Sequence, residues 1–431
     1  FDAKSTFLQT GWHYILSNNY IEFDSKYVKK QKSRMTTKVQ EDNTQSFVNS
    51  ISLESIIIAE NIKEITAYYF YNCSSLKSIE IPYGISKISK YAFANCTSLE
   101  SIIIPDSIIE IDEYAFANCK SLKSITLSSK LKKLGNHAFY ECTNLYSIVI
   151  PKSQKKIEAS TFENCVSLKQ IVLPDTLVYI GISAFADCES LKNIIIPNSV
   201  KAICPETFYN CTSLETINLS NRIKKIQFST FENCKALSSV TLPKRVREIS
   251  SSSFSNCVTL EKIFLPKKVK RIGGHAFSNC LSLKSVDLSN NLLSIGKSIF
   301  ENCTSLQSIT LPNSIKEIPE KSFYNCTMLS TINFPTDVIK IGSEAFCRCK
   351  SLKSIIIPKN VLVLGNEVFR RCSSLEEITF HNRITGIGNK VFHYCLNLKE
   401  LVFYGEINHW KRIKPKDFPS YITVICFDDR K

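Results

Sequence analysis

The chain has 431 residues, of which 44% are hydrophobic and 22% charged, and 54 Lys and Arg against 39 Asp and Glu leave a net charge of +15. This composition excludes an intrinsically disordered chain, and no apolar run approaches the roughly 20 residues of a membrane-spanning helix. The excess of cations is interspersed with acidic residues, which reads first as solvation of a large surface and second as an affinity for acidic partners.

Length alone predicts two or three globular domains, but an internal period overrides that prior. Residues 1–46 fall outside the period and are expected to be a leader or a cap. The opening, FDAKSTFLQTGWHYIL, lacks the basic start, apolar stretch and small-residue cleavage site of a signal peptide. It also lacks an initiator Met, which reads as a chain processed, or incomplete, at its start.

A weak copy of the repeat comes next: Phe47, Leu53, Ile56 and Ile58 keep its spacing, with Ser50 where later copies have Cys. From Phe70 to Phe392 a Phe recurs every 23 residues, fifteen times without a gap. Cys follows each Phe by three residues, and Leu follows each Cys by three. One copy, residues 92–114, reads AFANCTSLESIIIPDSIIEIDEY. Its Leu99, Ile102 and Ile104 predict a half-buried strand with these residues inward, ended by Pro105, which has no N–H for a ladder. Ile108 and Ile111 follow in an extended stretch, then a turn that favours Gly, as at Gly135, Gly181, Gly273, Gly296 and Gly342. The AF segment predicts a short helix of about one and a half turns, with Phe116 and Cys119 on one face and Asn118 closing its end. No unit can bury its own apolar face, so units must stack Phe on Phe and Leu on Leu. The domain organisation expected is therefore a solenoid over 47–410 and a C-terminal cap over 411–431, where SYITVICF at 420–427 offers a last strand.

The pattern AFxNCxSLxxIxLPxxIxxIxxxAF resembles the BspA-like leucine-rich-repeat family over about residues 47–405. The resemblance implies an α/β leucine-rich-repeat solenoid, curved, of about sixteen strand–turn–short-helix units with terminal caps. It also implies surface exposure and adhesion to host cells or matrix, in a family found in anaerobic bacteria and expanded in parasitic protists. It supplies no catalytic residues.

Of the 18 Cys, fifteen occupy the repeat column, and Cys204, Cys347 and Cys426 do not. Disulfides between units, metal ligation and a small apolar core residue compete as readings. Parallel side chains in a ladder hold their Cβ atoms too far apart for an unstrained disulfide. A 23-residue spacing is unlike a zinc site, and the core reading is preferred. Asn72, Asn95, Asn210, Asn302 and Asn325 stand in N-C-S or N-C-T sequons that the repeat itself creates, so coincidence is the preferred reading there. The six His, at 13, 137, 275, 381, 393 and 409, fall at different places in the unit, and neither a zincin motif nor a phosphate-binding glycine loop is present. A non-enzymatic protein without cofactor or metal is expected.

Two variable columns are candidate sites. The first faces out from the strand and carries Ile103, Val149, Val172, Ile195, Phe264 and Ile356, a candidate protein-binding face. Its bland alternative is β-propensity at a strand centre. The second, between the two Ile after the Pro, carries Lys132, Lys133, Lys155, Lys156, Lys201, Lys224, Lys225, Arg247, Lys270 and Arg271, with Lys244, Arg245, Lys267 and Lys268 just before it in two copies. This stripe suits a linear polyanion such as a sulfated glycan; the lack of interleaved aromatics disfavours nucleic acid, and a solvated face is the alternative. The function expected is a cell-surface or secreted adhesion module that binds proteins or acidic glycans. The alternatives are an intracellular interaction scaffold, placed in the cytoplasm, and a structural component of a large assembly. Oligomeric state is not legible.

Overall fold

The computed structural model describes residues 46–58 and 62–427, together with the backbone of strands His13–Ser17, Tyr20–Glu22 and Arg34–Thr37. The remainder of the expected leader or cap over 1–46, and residues 428–431 of the expected C-terminal cap, lie outside the described residues. The fold is a parallel β-solenoid of the leucine-rich-repeat class, with sixteen successive strands from Ser55–Ile58 to Glu400–Tyr404. It divides into two compact units, Phe1–Ser220 and Asn221–Lys431, each a stack of the same turns.

In the first unit, Ser101–Ile103, Ser124–Thr126, Ser147–Val149 and Gln170–Val172 form one parallel sheet in register, so that Ile102 faces Ile125 and Ile148 faces Ile171. A second ladder of two-residue strands follows the Pro: Glu64–Ile65, Lys87–Ile88, Glu110–Ile111 and Lys133–Leu134. The second unit repeats both ladders, for example Ser239–Thr241, Lys262–Phe264 and Ser285–Asp287 in the first, and Lys225–Ile226, Glu248–Ile249, Arg271–Ile272 and Ser294–Ile295 in the second. Thr423–Phe427 pairs in parallel with Glu400–Tyr404, with Leu401 facing Val424. Before it, the helix Ile407–Ile413 lays buried Trp410 against Phe403 and Phe418, at 5.6 and 5.3 Å between ring centroids.

The predicted short helix is absent: Ile407–Ile413 is the one α-helix among the described residues. The AF segment is instead a chain of tight turns. Ala92 N–H bonds to Ser89 O, Ala94 N–H to Tyr91 O and Cys96 N–H to Phe93 O. The residues two before and two after Phe93, Tyr91 and Asn95, have φ of 57° and 63°. A helix cannot pass through left-handed residues, and the alternate N–H groups turn sideways instead. Phe93 N–H reaches Ala115 O and Asn95 N–H reaches Ala117 O, both at 2.8 Å. These bonds tie each turn to the next along a third edge, which a helix would have kept for itself. Local propensity lost to satisfaction of the backbone between turns.

Asn is common at the second left-handed position because it tolerates that conformation. At the first, neighbours support one another: Tyr68, Tyr91, Tyr114 and His137 have φ of 55–60° and stack at 4.9, 4.8 and 4.3 Å.

The core is a set of columns. Phe70, Phe93, Phe116 and Phe139 are fully buried and stack at 5.1, 5.1 and 5.6 Å. In the second unit Phe231 begins an equivalent stack with Phe254 at 5.3 Å. The Cys column is buried as free thiols, and it is more than filler. Cys96 Sγ–H donates to Phe70 O at 3.2 Å, and Cys280 Sγ–H to Phe254 O at 3.2 Å, a pattern repeated along each unit. A residue small enough for the column that can also donate to that carbonyl is what the position selects.

The asparagines form ladders of their own. Asn256 Nδ2–H donates to Asn233 Oδ1, Asn279 to Asn256, Asn302 to Asn279 and Asn325 to Asn302, at 2.7–2.9 Å. The sequon residues Asn302 and Asn325 thus have their carboxamides engaged. Asn279→Ala breaks two of these bonds and places a Cβ-bearing residue without a local partner at φ 60°. It is expected to cost about 2–3 kcal/mol, and Asn279→Gly about 1 kcal/mol less, because glycine removes the left-handed penalty. Equilibrium unfolding in urea measures both; equal losses would show that the conformation contributes nothing.

Candidate functional site

Most strands of the first ladder bury the middle residue and expose the residues on either side, as in the pattern of Ser101–Ile103. The candidate column occupies the second exposed position. Ile103, Val149, Val172 and Ile195 are 57–72% exposed, and Phe264 and Ile356 are 64% and 68% exposed. Aliphatic side chains this open in a repeat contribute nothing to its core.

The structure brings some of them together and separates others. Val149 and Val172 face one another in register. Ile103 lies against Thr126, and Ile195 against Asn218. In the second unit Phe264 stands between Thr241 and Asp287, and Ile356 beside Thr379, so each is a single apolar residue in a polar row. The continuous part of the face is therefore in the first unit.

The column just before the strands is mostly charged and self-neutralising. Lys123 meets Glu100 at 2.9 Å, Lys192 meets Glu215 at 3.4 Å, and Lys284 meets Glu261 at 2.9 Å. Tyr146 breaks this alternation. It is 48% exposed and carries Lys169 Nζ at 5.2 Å from its ring centroid. It lies immediately before the strand Ser147–Val149, on the turn that carries Val149. Sequence reasoning passed over Tyr146; the signal was an aromatic residue in a column of Lys and Glu.

The basic stripe falls on the second ladder and the residue before it. In the first unit Lys132, Lys133, Lys155 and Lys156 sit on adjacent turns, but Val178 and Tyr179 separate them from Lys201. Lys133 is paired with Asp112 at 2.7 Å, and that hydrogen bond holds its ammonium above the usual lysine range. In the second unit Lys224, Arg247 and Lys270 are exposed on three successive turns, joined by Arg247 N–H to Lys224 O and Lys270 N–H to Arg247 O at 2.9 and 2.8 Å. Beside them Lys225, Glu248 and Arg271 stand in register, with Lys225 bound to Glu248 at 2.8 Å. Lys244, Arg245, Lys267 and Lys268 are exposed on the same turns.

No group of three His, Cys, Asp or Glu that could hold a metal exists among the described residues. The histidines are engaged locally: His137 stacks on Tyr114 at 4.3 Å, His381 on Tyr404 at 5.5 Å, and His409 Nε2 lies 2.8 Å from Ile384 O. His13 lies among residues whose side chains are not described. No described helix is long and apolar enough to cross a membrane.

Three comparisons bear on this arrangement. The family model described as BspA type Leucine rich repeat region (6 copies) matches residues 41–169, 155–284 and 270–399. Among solved structures, a leucine-rich repeat protein from Bacteroides ovatus is 31% identical, with a TM-score of 0.65, over 76% of this chain and 92% of its own. A leucine rich cell surface protein from Faecalibacterium prausnitzii is 23% identical, with a TM-score of 0.46, over 92% of this chain and 96% of its own. None of the curated proteins matches this chain.

Proposed function

This chain belongs to the BspA-type leucine-rich-repeat family, and from that premise we propose that it is a non-enzymatic adhesion module, displayed at a cell surface or secreted, that binds a protein partner on its strand face. The observation that carries the reading is the apolar row on the first unit: Val149 and Val172, adjacent in register and each more than half exposed, with exposed Tyr146 just before the strand that carries Val149. An exposed apolar patch rimmed by polar residues, here Lys169, Asn218 and Thr126, has the anatomy of a contact surface with an aromatic anchor. The stacked, rigid backbone presents these side chains without a cost of ordering on binding. Acidic glycans are a second class of partner, favoured by the exposed cations of Lys224, Arg247 and Lys270 on successive turns.

Antibody labelling of intact, unpermeabilised source cells is expected to detect the chain outside. Labelling only after permeabilisation would overturn the adhesion reading in favour of an intracellular scaffold. For the face itself, Val149→Glu combined with Val172→Glu is expected to weaken binding to an immobilised panel of matrix proteins by more than about tenfold, since charge is placed at the centre of the contact. The thermal midpoint should stay within about 1 °C of the parent, because neither side chain packs in the core. Retention of binding by the double variant would move the site off this face.

A further inference from the structure

In the second unit, three successive turns leave a groove of about 330 Å³ beside the basic columns. One wall is Glu248, Arg271 and Ser294, from the second ladder; the other is Phe228 and Ser251; the floor is Ser250, Gly273 and Gly296. The groove exists because two adjacent floor positions are glycine. Other turns fill the equivalent position with Asp112, Glu158 or Gln227. A Cβ on Gly273 would strike Ser251 N, and one on Gly296 would strike Gly274 N, so close approach of successive backbones keeps these positions bare.

The groove offers a specific mixture of groups. Phe228 is 47% exposed and presents its ring. Arg271 supplies a fork of donors on an exposed residue. The Ser250 hydroxyl is buried beneath the groove and has no hydrogen-bond partner among the described residues. Glu248 is an acceptor, and its charge is offset by Lys225 at 2.8 Å. A bare phosphate or sulfate would use Arg271 and the hydroxyls of the rim serines but neither Phe228 nor Glu248. A single-stranded nucleic acid needs successive aromatic platforms, and one phenyl ring is present. A sugar ring bearing an anionic group uses the exposed ones together: its C–H face packs on Phe228, its hydroxyls donate to Glu248 and meet Ser251 and Ser294, and its acidic group pairs with Arg271.

We propose that this groove seats one anionic pyranose of a linear acidic oligosaccharide, whose chain continues over Lys224, Arg247 and Lys270. These cations lie one residue before Lys225, Glu248 and Arg271 on three successive turns. The groove thus gives chemical selectivity to an otherwise unselective stripe of charge. The site is separate from the apolar face on the first unit, and either can fail without the other.

The test titrates the whole chain with a heparin-derived octasaccharide, a neutral glucose octasaccharide and a linear polyphosphate. The sulfated octasaccharide is expected to bind and the neutral one to bind far more weakly. Phe228→Ala should weaken the octasaccharide by about tenfold or more while changing polyphosphate affinity by less than about twofold, because only the sugar needs the ring. Ser294→Glu, on an exposed rim residue, adds a negative charge without touching the core and should weaken the octasaccharide comparably; it serves if Phe228→Ala fails to fold. Three results would overturn the proposal: no binding of the octasaccharide, tighter binding of polyphosphate, or folded groove variants with unchanged octasaccharide affinity. The last would mean that charge alone attracts the ligand.

Discussion

Phe116→Ala is expected to destabilise the first unit by about 3–5 kcal/mol, the range for removing a fully buried aromatic ring. Phe116 has no exposed surface and lies between Phe93 at 5.1 Å and Phe139 at 5.6 Å. Its turn cannot collapse into the void. Phe116 N–H is fixed to Ala138 O at 2.9 Å, and Phe93 N–H to Ala115 O at 2.8 Å, so the spacing of turns is set by backbone bonds on both sides. A cavity that cannot relax carries the full penalty. Each turn touches only its neighbours, so the damage should be local. Hydrogen exchange is expected to show lost protection in the turns around Phe93 and Phe139 and much less at Ile203, in the same unit. Ile103→Ala, 72% exposed, is the control and should change stability by less than about 0.5 kcal/mol. Uniform loss of protection throughout the unit would instead mean that its turns unfold as one.

Steep alkaline unfolding is the second large effect expected. Burial pushes Cys73, Cys280 and Cys395 from the ordinary value of 9.0 up to about 12, although backbone hydrogen bonds partly oppose it. Cys96, Cys119, Cys188, Cys257, Cys303 and Cys372 are raised well above the ordinary value by the same cause, and neighbouring thiols in the column add to it. Between pH 9 and about 12 the unfolded chain loses these protons while the folded chain keeps them. Stability is therefore fully present below pH 9 and falls as the pH rises through that window. A shift of three units is worth on the order of 4 kcal/mol once complete. Unfolding followed by circular dichroism should begin just above pH 9 and be highly cooperative in pH. Replacing Cys280 with Ala should reduce the steepness there. A chain that stays folded to pH 12 would contradict burial of the thiols. The same burial protects them chemically: at pH 8 in the native state the column should resist alkylation, while half-buried Cys204 and Cys426 react first.

The period of 23, the Phe, Cys and Leu columns and the alternation of Leu99, Ile102 and Ile104 were all legible in the sequence. A solenoid stacks like on like, so a residue that recurs at a fixed interval must touch its own copies, and one chain position determines what the next turn meets. For the same reason the outward strand column could be located before any coordinate was known, and Val149, Val172 and Ile103 are exposed as that reading expected.

What the tertiary structure decided was wherever two turns compete for the same group. The AF segment has helical propensity, yet its N–H groups bond to the following turn, and left-handed residues such as Tyr91 and Asn95 replace the helix. The Cys column looked like apolar filling, but the thiol also donates to a carbonyl 26 residues back, as from Cys96 to Phe70. The basic stripe looked continuous, but Asp112 and Glu248 take Lys133 and Lys225 out of it, and the groove beside Arg271 arises from two bare glycines and a phenylalanine on an earlier turn. A repeat specifies which positions meet. Which donor meets which acceptor, and where a side chain is missing, depends on the residues that the repeat leaves variable, and those act only once the turns are stacked.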